Sequence, residues 1–520
     1  MALHRPRLFS RYSLALAVLL IAPAFMTNAI AQDQGDKTAN AAKTNAEKPK
    51  DDPKPKIFTK EFSGTFNGQR LSYVVTAGET FLKNDKDEDT ASIFTVAYTK
   101  NGTVNPAERP VTFVFNGGPG SASLWLHMGV FGPKRIQVPS DATSAGAPPY
   151  ILEDNTLSIL DVTDLVFIDP VGTGYSRPLG EAKGEDFWGL REDARSIAEF
   201  IRIWITEQER WNSPKYIAGE SYGTTRASQL VAELQGGYTG VALNGVILIS
   251  SILDFHTVDS APGNDMPYIT FLPTYAAAAW YHGKVDPKPE SLPAFLEEAR
   301  DFARNEYSVA LLKGAALSDE DRKSIVKKLA YYTGLSEAYV ERAKLRVNEF
   351  RFMKELLRDD GVSVGRYDAR YTGEDYDSAG ESYDNDPSAY GVSGAFVATI
   401  NDYLTRILDV DMGRRYKILD SEPIRNWKWT RENDRSPFVN VAPHLGRAMR
   451  ENTDFRVFVG NGYYDLATPF FATETTFLNN GINSDRVTLA YYEAGHMMYT
   501  HHPSLQKLTE DVRAFIQAGP

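Results

Sequence analysis

Six short, mainly apolar runs recur along the chain: Val111–Phe115, Leu165–Ile168, Tyr216–Ala218, Val246–Ile249, Arg456–Val459 and Val487–Tyr491. None alternates cleanly with polar residues, which suits strands covered on both faces of a mostly parallel sheet. Between the runs the spacing turns helical, most clearly where Leu190, Ala194, Ile197, Ala198, Ile201 and Ile205 recur along one face. Ahead of them, Phe58 to Lys100 reads as β structure. Asn67-Gly68 separates Ser63–Phe66 from Leu71–Val75 as a hairpin turn, and Ala91–Tyr98 is a further strand. Strands alternating with helices predict an α/β fold: a mostly parallel sheet flanked by helices, with N-terminal antiparallel strands.

The alternation breaks between 253 and 435, a helical, Tyr-rich stretch in which Ser318-Asp319-Glu320-Asp321 has the form of a helix-starting capping box. It is expected to be an inserted, mainly helical cap (253–435), with the α/β domain formed by 58–252 and 436–520. Tyr367–Tyr390 is an acidic loop. Its Asp375-Tyr376-Asp377 lacks the remaining ligands of a calcium loop and reads as solvated.

The first 31 residues have the form of a leader. Arg5, Arg7 and Arg11 precede the apolar run Ser13–Phe25, and Ala29-Ile30-Ala31 is a small-x-small cleavage site. The apolar run is short for a bilayer span, and a retained anchor is the alternative reading. Residues 32–57 are polar, rich in Ala, Lys, Asp and Pro, and read as a disordered tether. The expectation is bacterial export to the periplasm or beyond, without stable membrane insertion after cleavage.

Composition narrows the chemistry. The chain has 520 residues and no Cys, which excludes a disulfide scaffold, a thiol nucleophile and thiolate metal sites. A formal charge of −12, or −15 once a leader with three Arg and no acid is removed, argues against nucleic acid as a partner. Gly172-Thr173-Gly174 lacks the third glycine of a dinucleotide fingerprint, because Arg177 stands there. No metal or other cofactor is expected.

Gly219-Glu220-Ser221-Tyr222-Gly223 has the form of a nucleophile elbow, G-x-S-x-G, following the run Tyr216–Ala218 and preceding a helix-compatible stretch, Thr224–Leu234. A serine is inert near neutrality until a base takes its proton. Of the histidines after Ser221 (His256, His282, His444, His496, His501 and His502), only His496 lies in a turn just after a buried-looking strand near the C-terminus. Asp465 is the one carboxylate in the turn after Arg456–Val459, and its role there is to orient His496. A turn-stabilising Asp is the alternative. Asn116-Gly117-Gly118-Pro119-Gly120-Ser121, after Val111–Phe115, could bring backbone donors close to a bound carbonyl.

In these segments, and in Asp169-Pro170-Val171-Gly172-Thr173-Gly174-Tyr175-Ser176 and Gly495-His496-Met497, the chain resembles the serine carboxypeptidases of the α/β-hydrolase fold. The resemblance runs in family order from about residue 110 to 500, and the insertion is weakly matched. It implies a triad of Ser221, Asp465 and His496, an oxyanion hole of the Gly118 and Tyr222 amides, and a group that holds the substrate's C-terminal carboxylate: Asn116, Gly117 and Glu220. Peptides with a free C-terminus are the implied substrates. Glu220 can donate to a carboxylate only when protonated. Family members usually carry a second Glu two residues before the Gly-Pro that here is Gly132-Pro133, where this chain has Val130. Two other readings stay open: an esterase or acyltransferase on the same scaffold, and an inactive exported binding protein. Trp125, Tyr175 and Trp188 are read as core aromatics that could also line pockets.

Overall fold

β1 (Ile57–Phe66) and β2 (Gln69–Lys83) pair antiparallel with Phe66 opposite Gln69, so that Asn67 and Gly68 alone form the turn. Their φ values of 47° and 77° are the left-handed ones that a two-residue hairpin needs, which is why Asn-Gly stands there. The computed structural model describes residues 54–236, 240–430 and 436–519. The leader at 1–31, most of the tether at 32–57 and the end of the predicted insertion at 435 therefore lie outside the described residues.

β3 (Asp89–Lys100) completes the antiparallel meander. The six apolar runs follow as β4 (Val111–Phe115), β5 (Asp164–Asp169), β6 (Lys215–Ser221), β7 (Gly245–Ser251), β8 (Arg456–Gly462) and β9 (Val487–Tyr492). Together with the two-residue strand Arg177–Pro178 beside β3, they make a ten-stranded sheet of order β1-β2-β3-β5-β4-β6-β7-β8-β9 among the described residues. From β5 to β9 every neighbouring pair is parallel. The chain steps from β4 to β5 on one side, then returns to β6 on the other. That reversal opens a crevice at the carboxyl ends of β4 and β6, where open α/β sheets receive ligands.

Both sheet faces are covered. Helix α1 (Leu190–Glu207) buries all six residues of the predicted stripe, and with α2 (Tyr222–Gln235) and the helix Ala442–Glu451 it covers one face. The other face carries α3 (Pro387–Asp402) and the C-terminal helix His502–Gln517.

The 253–435 stretch packs in separate parts. The helices Met266–Tyr281, Leu292–Phe302 and Asp319–Thr333 build a cluster of their own with Tyr464, Leu466, Phe470 and Phe471. Helix α3 instead uses a stripe of Val392, Ala395, Phe396 and Ile400 to join the sheet's cluster. Trp427 packs with Trp188, Leu190 and Tyr222. Ser318 Oγ accepts from the Asp321 amide at 3.1 Å, as the capping pattern predicts. In the acidic loop, Asp375 is ion-paired to the buried Lys354 ammonium at 2.5 Å. Among the described residues no helix is long and apolar enough to cross a membrane.

Candidate active site

The elbow sits where β6 ends and α2 begins. Ser221 has φ 61° and ψ −131°, a backbone conformation that costs an L-residue about 1–3 kcal/mol and persists only where its surroundings enforce it. The enforcement is backbone contact. A Cβ on Gly219 would lie 2.3 Å from the Gly223 carbonyl oxygen, so the turn closes only with glycine. Thr224 Oγ1 donates to the Ser221 carbonyl at 2.7 Å and fixes the first helical turn behind it.

The loop after β4 is pressed onto this turn. A Cβ on Gly117 would stand 2.5 Å from the Tyr222 amide nitrogen and 2.8 Å from the Glu220 carbonyl oxygen. Gly118 follows at φ 105°, a value that favours glycine. Arg226 of α2 clamps the arrangement. Its Nε donates to Asp193 Oδ2 at 2.6 Å, its Nη1 donates to the Asn116 carbonyl, and its guanidinium lies 5.2 Å from the Phe115 ring centre and 5.2 Å from that of Tyr222.

His496 is buried in the turn after β9. Its Nδ1 lies 2.7 Å from Asp465 Oδ2, in the turn after β8. Asp465 is itself held: Oδ1 accepts from the Ala467 and Thr468 amides at 2.8 and 2.9 Å, and Oδ2 from the Thr468 hydroxyl at 2.6 Å. A carboxylate so anchored fixes the imidazole through Nδ1, which also lies 3.2 Å from the Thr468 hydroxyl, and Nε2 remains for chemistry. Burial pushes the His496 pKa down, the adjacent Asp465 charge pushes it up, and the net shift is upward. Among the described residues the imidazole bonds Asp465 and Thr468 and not the Ser221 hydroxyl; such bonds commonly tighten only when substrate is bound.

Asn116, Gly117, Gly118, Glu220, Ser221, Tyr222 and His496 all line one cavity of about 370 Å³. Asp465, the remaining predicted residue, is fully buried behind His496. Glu220 is buried, and its Oε2 accepts from Asn116 Nδ2 at 2.6 Å. Burial pushes its carboxyl up to about 7, against the opposing pull of His496, Tyr499 and Asn116. A carboxyl that keeps its proton close to neutrality can donate to an anion, which an ordinary surface Glu cannot.

A sequence model of the serine carboxypeptidase family matches residues 75–509. The chain belongs to that family. Among curated relatives, serine carboxypeptidase-like 13 of Arabidopsis thaliana is 28% identical over 169 residues, covering 32% of this chain and 36% of the relative. Serine carboxypeptidase-like 5 of the same plant is 30% identical over 164 residues, covering 30% and 35%. The matched region thus spans about a third of the length of these relatives. A solved structure of Kex1(delta)p, a prohormone-processing carboxypeptidase from Saccharomyces cerevisiae, superposes with a TM-score of 0.52 at 17% identity, covering 85% of this chain and 91% of that one. The shared fold is the α/β-hydrolase fold.

Sequence reasoning missed four contributors to this candidate site. Thr468 braces Asp465, and Asp-x-x-Thr spacing in a turn was a readable signal for it. The Tyr367 carbonyl accepts from the His496 amide at 2.5 Å, a contact no local pattern announces. Arg366 lines the cavity with its Nε buried and unbonded. Tyr499 meets Glu220 (below). Trp125 lines the cavity, whereas Tyr175 and Trp188 are buried away from its walls. Of the other histidines, His282 Nε2 bonds the Ala369 carbonyl and His501 Nδ1 the Ser504 hydroxyl.

The fit at Gly117 generates a test. Gly117→Ala must push the loop off the Tyr222 amide, which separates the two backbone donors beside Ser221. The rate of Ser221 labelling by a serine-reactive phosphonate is expected to fall about 10²-fold or more, the usual cost of one lost oxyanion donor, while the circular dichroism spectrum is retained. An unchanged labelling rate would remove the loop from the chemistry.

Proposed function

We propose that the chain is a serine-type carboxypeptidase that releases C-terminal residues from peptides through an acyl-enzyme on Ser221. The observation that carries this reading is Glu220: a buried carboxyl pushed up to about 7, beside Asn116 and in the same cavity as Ser221. An esterase has no need of such a group, but a substrate ending in a carboxylate does. Asn116 has a second amide proton, Gly117 a backbone amide and protonated Glu220 an acid proton, three donors for one carboxylate.

In the proposed reaction the terminal carboxylate docks on these donors and the last peptide carbonyl lies over Ser221. Ser221 Oγ attacks that carbonyl carbon and His496 Nε2 takes the hydroxyl proton. The developing oxyanion accepts from the Gly118 and Tyr222 amides, and Asp465 stabilises the imidazolium. The C–N bond breaks, His496 returns the proton to the leaving amine, and the C-terminal amino acid departs. Water then attacks the acyl-enzyme by the same route, giving the shortened peptide and free Ser221. The insertion contributes Arg366, Tyr367 and Val392 to the cavity wall, so residue preference would be set partly by 253–435.

The leader belongs to the same proposal. Arg5, Arg7 and Arg11, the apolar run Ser13–Phe25 and Ala29-Ile30-Ala31 support export from a bacterial cytoplasm, with a mature chain beginning at Gln32 in the periplasm or outside. The intact mass of chain recovered from the exported fraction tests it, and a chain that keeps Met1–Ala31 there would contradict cleavage.

Ser221→Ala is expected to abolish the C-terminal ladder that mass spectrometry reads from a peptide panel, a loss of at least about 10⁴-fold. Turnover of esters but not of peptides by the unaltered chain would point instead to the esterase or acyltransferase reading. Absence of phosphonate labelling would point to an inactive binding protein.

The pH dependence follows from two groups. The base must be neutral, so kcat/KM rises with pH through the His496 titration. Glu220 must be protonated, so kcat/KM falls as pH passes about 7, where that carboxyl ionises and repels the substrate's own. Glu220→Gln donates at every pH and is expected to remove the descending limb while leaving the ascending one. An unaltered bell-shaped profile would take Glu220 out of carboxylate recognition.

A further inference from the structure

Glu220 has a partner that neither the elbow motif nor the proposed triad calls for. Tyr499 is fully buried three residues after His496, and its hydroxyl donates to both carboxylate oxygens, at 3.0 Å to Oε1 and 2.9 Å to Oε2. These are the only hydrogen bonds of that hydroxyl among the described residues. The ring has room because the segment His127–Phe131 presents Gly129 to it: a Cβ there would lie 2.4 Å from Tyr499 Cε2. The adjacent Val130 is buried and apolar and offers Glu220 nothing.

We infer that Tyr499 is a positioning residue for carboxylate recognition, a neutral donor that orients the acid proton of Glu220, with Gly129 as the recess that seats it. The inference rests on the carboxylate-binding role proposed for Glu220 and assigns what sets that role's geometry and pH range.

The donors around Glu220 are unequal. Asn116 Oδ1 accepts from the Leu126 amide at 3.1 Å, which turns Nδ2 toward Glu220 Oε2. Oε2 therefore receives two donors, and Oε1 receives Tyr499 alone. Burial and the nearby Glu220 charge hold the Tyr499 proton on far above its ordinary range, so this hydroxyl stays a donor. Among the described residues its buried proton has no other acceptor than Glu220. When Glu220 is protonated, the acid proton then belongs on Oε1, the less occupied oxygen, and the carboxyl is held in one orientation. When Glu220 is ionised, the same hydroxyl stabilises the charge and draws the titration downward.

The other groups acting here are His496 and Asp465 from the turns after β9 and β8. Arg366 acts on His496 from the insertion, and Arg226 of α2 is paired with Asp193 and meets this group through the Asn116 carbonyl. His127 on the Gly129 segment is held near pKa 3 by burial and is neutral.

The test compares a blocked dipeptide bearing a free C-terminal carboxylate with its C-terminal amide, over pH, using the full chain. In Tyr499→Phe, which removes one oxygen atom and keeps the ring, the descending limb of kcat/KM for the free acid is expected to move up by about one pH unit, as one lost hydrogen bond to a charged group requires. Below that limb, preference for the acid over the amide should fall about tenfold, chiefly through KM. Gly129→Ala, which crowds the ring, should reproduce both changes in direction. A limb that stays in place in Tyr499→Phe overturns the inference, as does a loss that falls equally on acid and amide. A wild-type chain with no preference for the acid is a different result: it removes the role of Glu220 itself, and with it that of Tyr499.

Discussion

Two backbone turns, 116–118 and 219–223, approach one another more closely than any side-chain carbon would allow, and the rest of the site is arranged around that contact. Gly117 against the Tyr222 amide and Gly219 against the Gly223 carbonyl leave no space for a methyl group. The sheet brings the turns together, because β4 and β6 are neighbours at the point where strand order reverses. The buried Arg226–Asp193 pair then locks them, since the same guanidinium that satisfies Asp193 also donates to Asn116. A buried charge without its partner costs about 3–5 kcal/mol, which exceeds the strain of about 1–3 kcal/mol held at Ser221. The strained serine is thus enforced by contacts whose loss would cost more than its relaxation returns.

A second constraint concerns charge on carboxyl groups buried from solvent. Asp465 is surrounded by two backbone amides, the Thr468 hydroxyl and the imidazole of His496. Glu220 receives only two neutral donors, Asn116 and Tyr499, and burial outweighs them. The two carboxyl groups of one site thus sit in different surroundings: Asp465 is held in place to orient a base, and burial favours the proton-bearing form of Glu220.

How much of this was legible in the sequence follows from how local each feature is. The strands, the hairpin and the α1 stripe are encoded by residues next to one another, and each lies within a residue or a few of where the pattern puts it. The elbow and the turns carrying Asp465 and His496 are equally local, and one cavity and one hydrogen bond bring them together. What could not be read was packing between distant segments. Helix α3 has an apolar stripe, but nothing in its own residues says that it joins the sheet's cluster while the helices before it build another. The Val130 departure was visible as a missing carboxyl. That a phenol from 499 reaches Glu220, over Gly129, could be known only from the packing of the two segments.

A phenol as the partner of Glu220 bears on the proton itself. A second carboxyl beside Glu220 would bring like charge, and the pair would hold a shared proton by mutual repulsion. A phenol brings no charge, so burial has to supply the upward push on Glu220, and His496 opposes it. Where one proton is held between Glu220 and His496, there are two arrangements of equal total charge: acid with neutral imidazole, or carboxylate with imidazolium. The balance between these two does not depend on pH. Only the first can donate to a substrate carboxylate through Glu220, and only the first can take the proton of Ser221. A bound carboxylate that requires the acid form of Glu220 thereby also selects the imidazole form of His496, so that binding the correct chain end and freeing the base become one proton equilibrium.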